Sequence, residues 1–172
     1  MKLGGVPLCG FAHGSSGMGL ALIECGVHCR RRDWIEGGLA AFRYEDRLFD
    51  ADHHNWPDLR EYGQRVADRS PGPRRSFMVA WCHGAAGIGL ARLRALRLLP
   101  RRKKELAVGV RRAINSTAAT LKATPEYADA SPCHGRAGLS ETLLYATEIL
   151  GDRQYAAQVS ARWRASILAR PR

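Results

Sequence analysis

No stretch of this 172-residue chain approaches the ~18 consecutive apolar residues that a membrane-spanning helix requires, so the sequence predicts no transmembrane segment. The opening residues, MKLGGVPLCGFAHG, lack the continuous apolar core of a signal peptide, and the expected compartment is the cytoplasm. Strand-like alternation of apolar and polar residues is missing throughout, which argues against a β-sandwich or barrel. Neither the aromatic-and-basic signature of an RNA-binding sheet nor a zinc finger of paired cysteines and paired histidines is present. Acidic residues are few: 16 against 27 lysines and arginines, for a net charge of +11.

The positive charge is spread over short clusters, Arg30-Arg31-Arg32, Arg74-Arg75 and Arg101-Arg102-Lys103-Lys104, set between apolar segments. They read as solvated faces and loop edges rather than a nucleic-acid site, with an acidic peptide as the other partner that such charge would favour. Cysteines number five, Cys9, Cys25, Cys29, Cys82 and Cys133. An odd count without an export signal speaks against a disulfide framework and for thiols that are ligands or buried. Cys25 and Cys29, four apart, lack a second pair and are expected to serve packing. His28, His53 and His54 lie in polar stretches and are expected at the surface.

The chain repeats itself. The pattern HGxxG occurs at His13, His83 and His134, each time followed by an apolar segment. After the third copy, Leu139, Leu143, Ala146 and Leu150 step by four, three and four, which lines one face of a helix. Ala107, Val110, Ile114, Ala118 and Leu121 keep that rhythm, as do Ala156, Val159, Trp163 and Ile167. A more charged helix is expected over 34–48. Turn residues mark loops at 50–58, 69–76 and 124–132. The organisation is therefore a motif helix followed by a flanking helix, three times over, in an all-α repeat. The two motif glycines allow a tight turn and close backbone approach at each helix entrance, so the three motifs are expected at one end of the helical array.

Ala12 precedes His13, whereas Cys82 precedes His83 and Cys133 precedes His134. Thiolate and imidazole are the usual ligands of protein zinc. If the repeats pack side by side, Cys82, Cys133 and one or two of the histidines converge, and three protein ligands with one open position describe a catalytic zinc rather than a structural one. The competing reading treats each cysteine as a small buried hydrophobe and each histidine as a helix-start hydrogen-bonding group.

The segments GFAHGSSGMGLAL (10–22), WCHGAAGIGLARL (81–93) and CHGRAGLSETLL (133–144) resemble, in order, the three characteristic motifs of the LanC-like lanthionine cyclases. RYEDRLFDADHHNWPDLR (43–60) is similar to a segment of the cyclase domain of class II (LanM-type) lanthipeptide synthetases. The resemblance implies an α/α toroid, an inner ring of helices within an outer ring, with Zn²⁺ at one mouth. It implies Cys82, Cys133 and His134 as zinc ligands and His13 as the acid/base residue, with His83 as the secondary candidate. It further implies a reaction in which a cysteine thiol of a dehydrated precursor peptide adds to dehydroalanine or dehydrobutyrine, closing a lanthionine ring. Only nine residues precede Gly10. The expectation is therefore a partial toroid over 1–172, the C-terminal portion of the ring, with the early hairpins and the dehydratase domain outside this sequence and a complementary synthetase chain as a candidate partner. The alternatives are an inactive zinc-binding helical module and a basic helical protein that holds peptide or nucleic acid.

Overall fold

A computed structural model describes residues 7–60, 76–126 and 128–168. Among them six α-helices follow in order: α1 (Ser15–His28), α2 (Arg32–Asp46), α3 (Ala85–Leu98), α4 (Lys103–Ala123), α5 (Arg136–Leu150) and α6 (Gln154–Leu168), with a 3₁₀ turn at Pro100–Arg102. The described residues form no strand, only isolated bridges between Asp50 and Asn55 and between Asp58 and Ser76. None of these helices is long and apolar enough to cross a membrane. The expected loop over 69–76 lies outside the described residues except for Ser76, as do Arg74 and Arg75.

Each motif opens a helix. Gly14, Gly84 and Gly135 are the N-caps of α1, α3 and α5, and none of the three helices has a side-chain cap. α1 packs on α3 and α3 on α5, forming an inner arc, while α2, α4 and α6 each pack against the motif helix that precedes them. Backbone hydrogen bonds between the motif loops bring the N-termini of the inner helices to a common pole. Their macrodipoles thus present three positive ends to the same region.

The centre of the arc is α3, which is buried nearly all round: Ile88, Ala91, Leu93 and Ala95 show no exposure. It divides the core. Leu93 packs with Val110, Ile114, Leu121, Leu139 and Leu143, and Ala91 and Ala95 pack with Leu20, Ile23, Leu39 and Phe42. A third cluster, Cys9, Trp56, Ala85, Ile88 and Ala113, lies beneath the motif pole. The helical periodicities hold: Val110, Ile114 and Leu121 are buried, as are Leu139, Leu143 and Ala146. Leu150 departs from its face at 40 % exposed, because it is the last residue of α5, beyond the reach of the neighbouring helices.

The fifth-position glycines show why the pattern repeats. A Cβ on Gly17, Gly87 or Gly138 would stand 1.9–2.0 Å from the carbonyl oxygen six residues earlier, a distance at which the loop cannot close. On Gly87 it would also meet the Cβ of Phe11 at 2.7 Å, and on Gly138 the Cβ of Trp81 at 3.0 Å. The aromatic two residues before each of the first two histidines thus lies over the glycine of the next motif, and Phe11 and Trp81 meet edge to face with centroids 5.0 Å apart. Each repeat locks onto its successor.

One expectation fails. Cys25 and Cys29 are exposed rather than packed, since the inward face of α1 is carried by Gly19, Leu20, Ile23 and Gly26. The described members of the basic clusters, Arg30 to Arg32 and Arg101 to Lys104, are exposed as expected, whereas two arginines outside those clusters are buried, Arg92 at 1 % and Arg136 at 5 % exposed. Arg92 is neutralised inside by Glu45 (Nη2 to Oε2, 3.1 Å) and by Asp46 at 2.9 Å, as a buried cation requires. His28, His53 and His54 are exposed as expected.

Candidate metal centre

The three motif loops are stitched together through the backbone. The Ala12 N–H donates to the Cys82 carbonyl at 3.1 Å, and the Trp81 N–H donates to the Cys133 carbonyl at 3.0 Å. These bonds put the residues preceding each HG pair side by side, and with them the sulfurs. Cys82 Sγ lies 3.4 Å from His134 Nε2, and Cys133 Sγ lies 3.9 Å from the same nitrogen. All three ligand atoms fall within 4.8 Å of one another.

That geometry suits a metal. Zinc at about 2.3 Å from sulfur and about 2.0 Å from nitrogen, with tetrahedral angles, separates the two donors by about 3.5 Å. The observed separations bracket that value. Cys82 is buried, Cys133 half-buried and His134 exposed, so the cluster has a closed floor and an open mouth. Among the described residues this is the one group of three or more Cys, His, Asp or Glu side chains with ligand atoms so close. Burial, together with the neighbouring Cys133 thiol, pushes the Cys82 thiol up to about 11. The donor set fits Zn²⁺, whose charge compensates the thiolates that burial disfavours.

The other two sequence candidates differ in setting. His13 is exposed on the first motif loop, one residue after the Ala12 that pairs with Cys82. His83 is buried, at 3 % exposed. Its Nε2 lies 3.8 Å from Asp58 Oδ1, too far for a hydrogen bond, and has no partner. Burial lowers the His83 pKa against the opposing pull of Asp58, and the charges of Arg60 and His13 lower it further. Two histidines therefore flank the cluster, one reachable and one enclosed.

Sequence reasoning missed what holds these loops. Glu45, fully buried, accepts from the Gly10 N–H at 2.8 Å and from the Ser16 hydroxyl, gripping both sides of His13. Its carboxyl is pushed up by burial, against the opposing pull of Arg92 and of these donors. Asn55 does the same for the second loop: its Nδ2 donates to the Met78 carbonyl at 3.0 Å and its Oδ1 accepts from the Ala85 N–H at 2.9 Å. The Trp56 indole donates to the Glu45 carbonyl at 2.9 Å, tying the two supports together. Only the likeness of 43–60 to a cyclase segment singled these residues out.

A profile of the family described as "Lanthionine synthetase C-like protein" matches residues 3–168. The chain belongs to that family. Among solved structures, nisin cyclase superposes with a TM-score of 0.61 over 90 % of this chain and 38 % of its own length, at 20 % sequence identity. The chain thus has the LanC-like toroid fold and spans well under half of that relative. No curated protein matches the sequence.

Proposed function

We propose that this chain carries the zinc-bearing part of a peptide cyclase, which joins cysteine thiols to dehydroalanine or dehydrobutyrine in a dehydrated precursor peptide. The observation that carries the reading is the convergence of Cys82, Cys133 and His134 at the pole where three family motifs meet. Membership of the lanthionine synthetase C-like family supplies the reaction class.

Cys82, Cys133 and His134 would hold Zn²⁺, whose Lewis acidity would supply the means to lower a substrate thiol's pKa from its ordinary ~8.5. The chain's own residues do the remainder. The half-open ligand cluster admits a peptide side chain from solvent at His134, while the Cys82 side is closed, at 8 % exposed. His13, exposed and fixed by its loop, supplies the proton required at the acceptor's Cα. Histidine is the side chain most often used for such proton transfers. His83 has less access, being 3 % exposed. The LanM-like segment at 43–60 supports a class II origin, and a peptide is the partner.

The direct test incubates the zinc-loaded chain with a dehydrated, cysteine-containing precursor. Thioether formation is an isomerisation, so free thiol disappears while peptide mass stays constant. Chelation stops it, and His13→Asn lowers the rate by about 10²-fold or more, the usual scale of a general acid. Persistent thiols with zinc fully bound would refute the cyclase reading and leave a zinc-binding helical module.

A further inference from the structure

The residues 55–60, Asn55 to Arg60, do more than brace the second motif loop. Asp58 is 3 % exposed, and its backbone N–H donates to the Ser76 carbonyl at 2.8 Å. Its carboxylate takes the Arg60 guanidinium in a two-pronged grip, Nε at 2.9 Å to Oδ1 and Nη2 at 2.6 Å to Oδ2. The same carboxylate lies 3.8 Å from His83 Nε2, next in sequence to Cys82. Arg60 is thereby held in one orientation, within electrostatic range of Cys82. The Arg60 side chain remains 33 % exposed, and its Nη1 has no partner among the described residues. A guanidinium oriented by a buried acid and partly open to solvent is a preorganised anion receptor.

We propose that Arg60 is a catalytic residue that donates a hydrogen bond to the acceptor's carbonyl oxygen as negative charge builds there, and that Asp58 is its positioning residue. The inference rests on the cyclase reading above. In the step concerned, the thiol gives up its proton to solvent buffer, and the sulfur lone pair forms the S–Cβ bond. The Cα=Cβ π pair moves toward Cα and the adjacent carbonyl, leaving enolate charge on that oxygen. Proton delivery to Cα restores the carbonyl, and nothing is oxidised or reduced. Arg60 acts on the one atom in this sequence that gains charge and that neither the ligand cluster nor His13 addresses.

The test compares wild type with Arg60→Gln, Arg60→Lys, Arg60→Ala and Asp58→Asn in cyclisation of a dehydrated precursor, under single-turnover and steady-state conditions, with zinc content measured on each sample. Arg60→Gln is expected to slow cyclisation by about 10²–10³-fold, the usual effect of removing one such donor, at unchanged zinc stoichiometry. Arg60→Lys recovers part of the rate, and added guanidinium ion partly rescues Arg60→Ala, a response that a scaffolding role would not produce. Asp58→Asn lowers kcat more than it changes KM. Wild-type rates in Arg60→Gln, or a rate loss matched by zinc loss, overturn the assignment of Arg60 alone. No cyclisation by zinc-loaded wild type overturns the cyclase reading and this assignment with it.

Discussion

Cys82 stands at the base of the metal cluster, and its environment makes a prediction about pH. With its thiol pushed up to about 11, it is protonated across the physiological range, so metal binding must expel that proton. Apparent zinc affinity should therefore rise about tenfold per pH unit below that value from Cys82 alone, as read by competition with a chelator at several pH values. Cys82→Ala or Cys133→Ala is expected to reduce bound zinc from about one per chain to none. Full zinc occupancy in both variants would remove the cluster as the metal's seat. Asp58 makes a second pH prediction. Burial raises its pKa, but the hydrogen bonds from Arg60 outweigh that and hold it below the usual carboxylate range. Its folded value thus lies under its unfolded one of ~3.9. The stability it contributes is full above the unfolded value and is lost as pH falls through the folded one. Stability curves of wild type and Asp58→Asn should separate near neutrality and converge in acid.

At the scale of elements, the motif loops are held by side chains from the loop and helix that follow α1. Glu45, near the end of α2, satisfies Gly10, Ser16 and Arg92 at once. Glu45→Ala would leave Arg92 without its fully buried counter-charge and the first motif loop without its anchor. Breaking a buried pair in this way costs about 3–5 kcal/mol. Urea denaturation of the variant should show a loss of that order, and a change under 1 kcal/mol would contradict the network. The glycines of the second motif make a sharper case. Gly84 has φ of +75° and its added Cβ would stand 1.8 Å from the Met78 carbonyl oxygen. Gly84→Ala combines backbone strain with a clash no rotamer relieves. It should displace the Cys82 loop, seen as weakened zinc binding together with a lowered Tm.

On the scale of the whole molecule, the ligands come from different repeats: Cys82 precedes α3, whereas Cys133 and His134 precede α5. A metal there links the two hairpins and binds only the folded arrangement, so it stabilises the fold by mass action. Zinc at 100 times its Kd should add about 2.7 kcal/mol, read as a chelator-reversible rise in Tm that disappears in Cys133→Ala. The charge of +11 acts at this scale too. It predicts weak binding to duplex DNA that falls steeply with salt and does not discriminate sequence.

Much was legible in the sequence because it depends on local rules. A period of 3.6 needs only neighbours along one helix, and Leu139, Leu143 and Ala146 announced their face before any packing was known. The HGxxG copies declared a repeat because each fifth glycine must clear its own carbonyl six residues back. The pairing of Cys82 with Cys133 and His134 was inferable once the loops were taken as equivalent, since equivalent loops in a repeat stack in register. Tertiary structure alone decided the rest. Whether Arg92 is solvated or buried depends on Glu45, 47 residues away, and no local pattern encodes that partner. Cys25 turned outward because α2 and α3 chose the other face of α1. Asp58 read as the end of a loop and Arg60 only as part of the cyclase-like segment 43–60, and it is the folding of this stretch against the second motif loop that brings Asp58 within 3.8 Å of His83. Residue type and spacing determined which groups were able to do chemistry; long-range packing determined which of them meet.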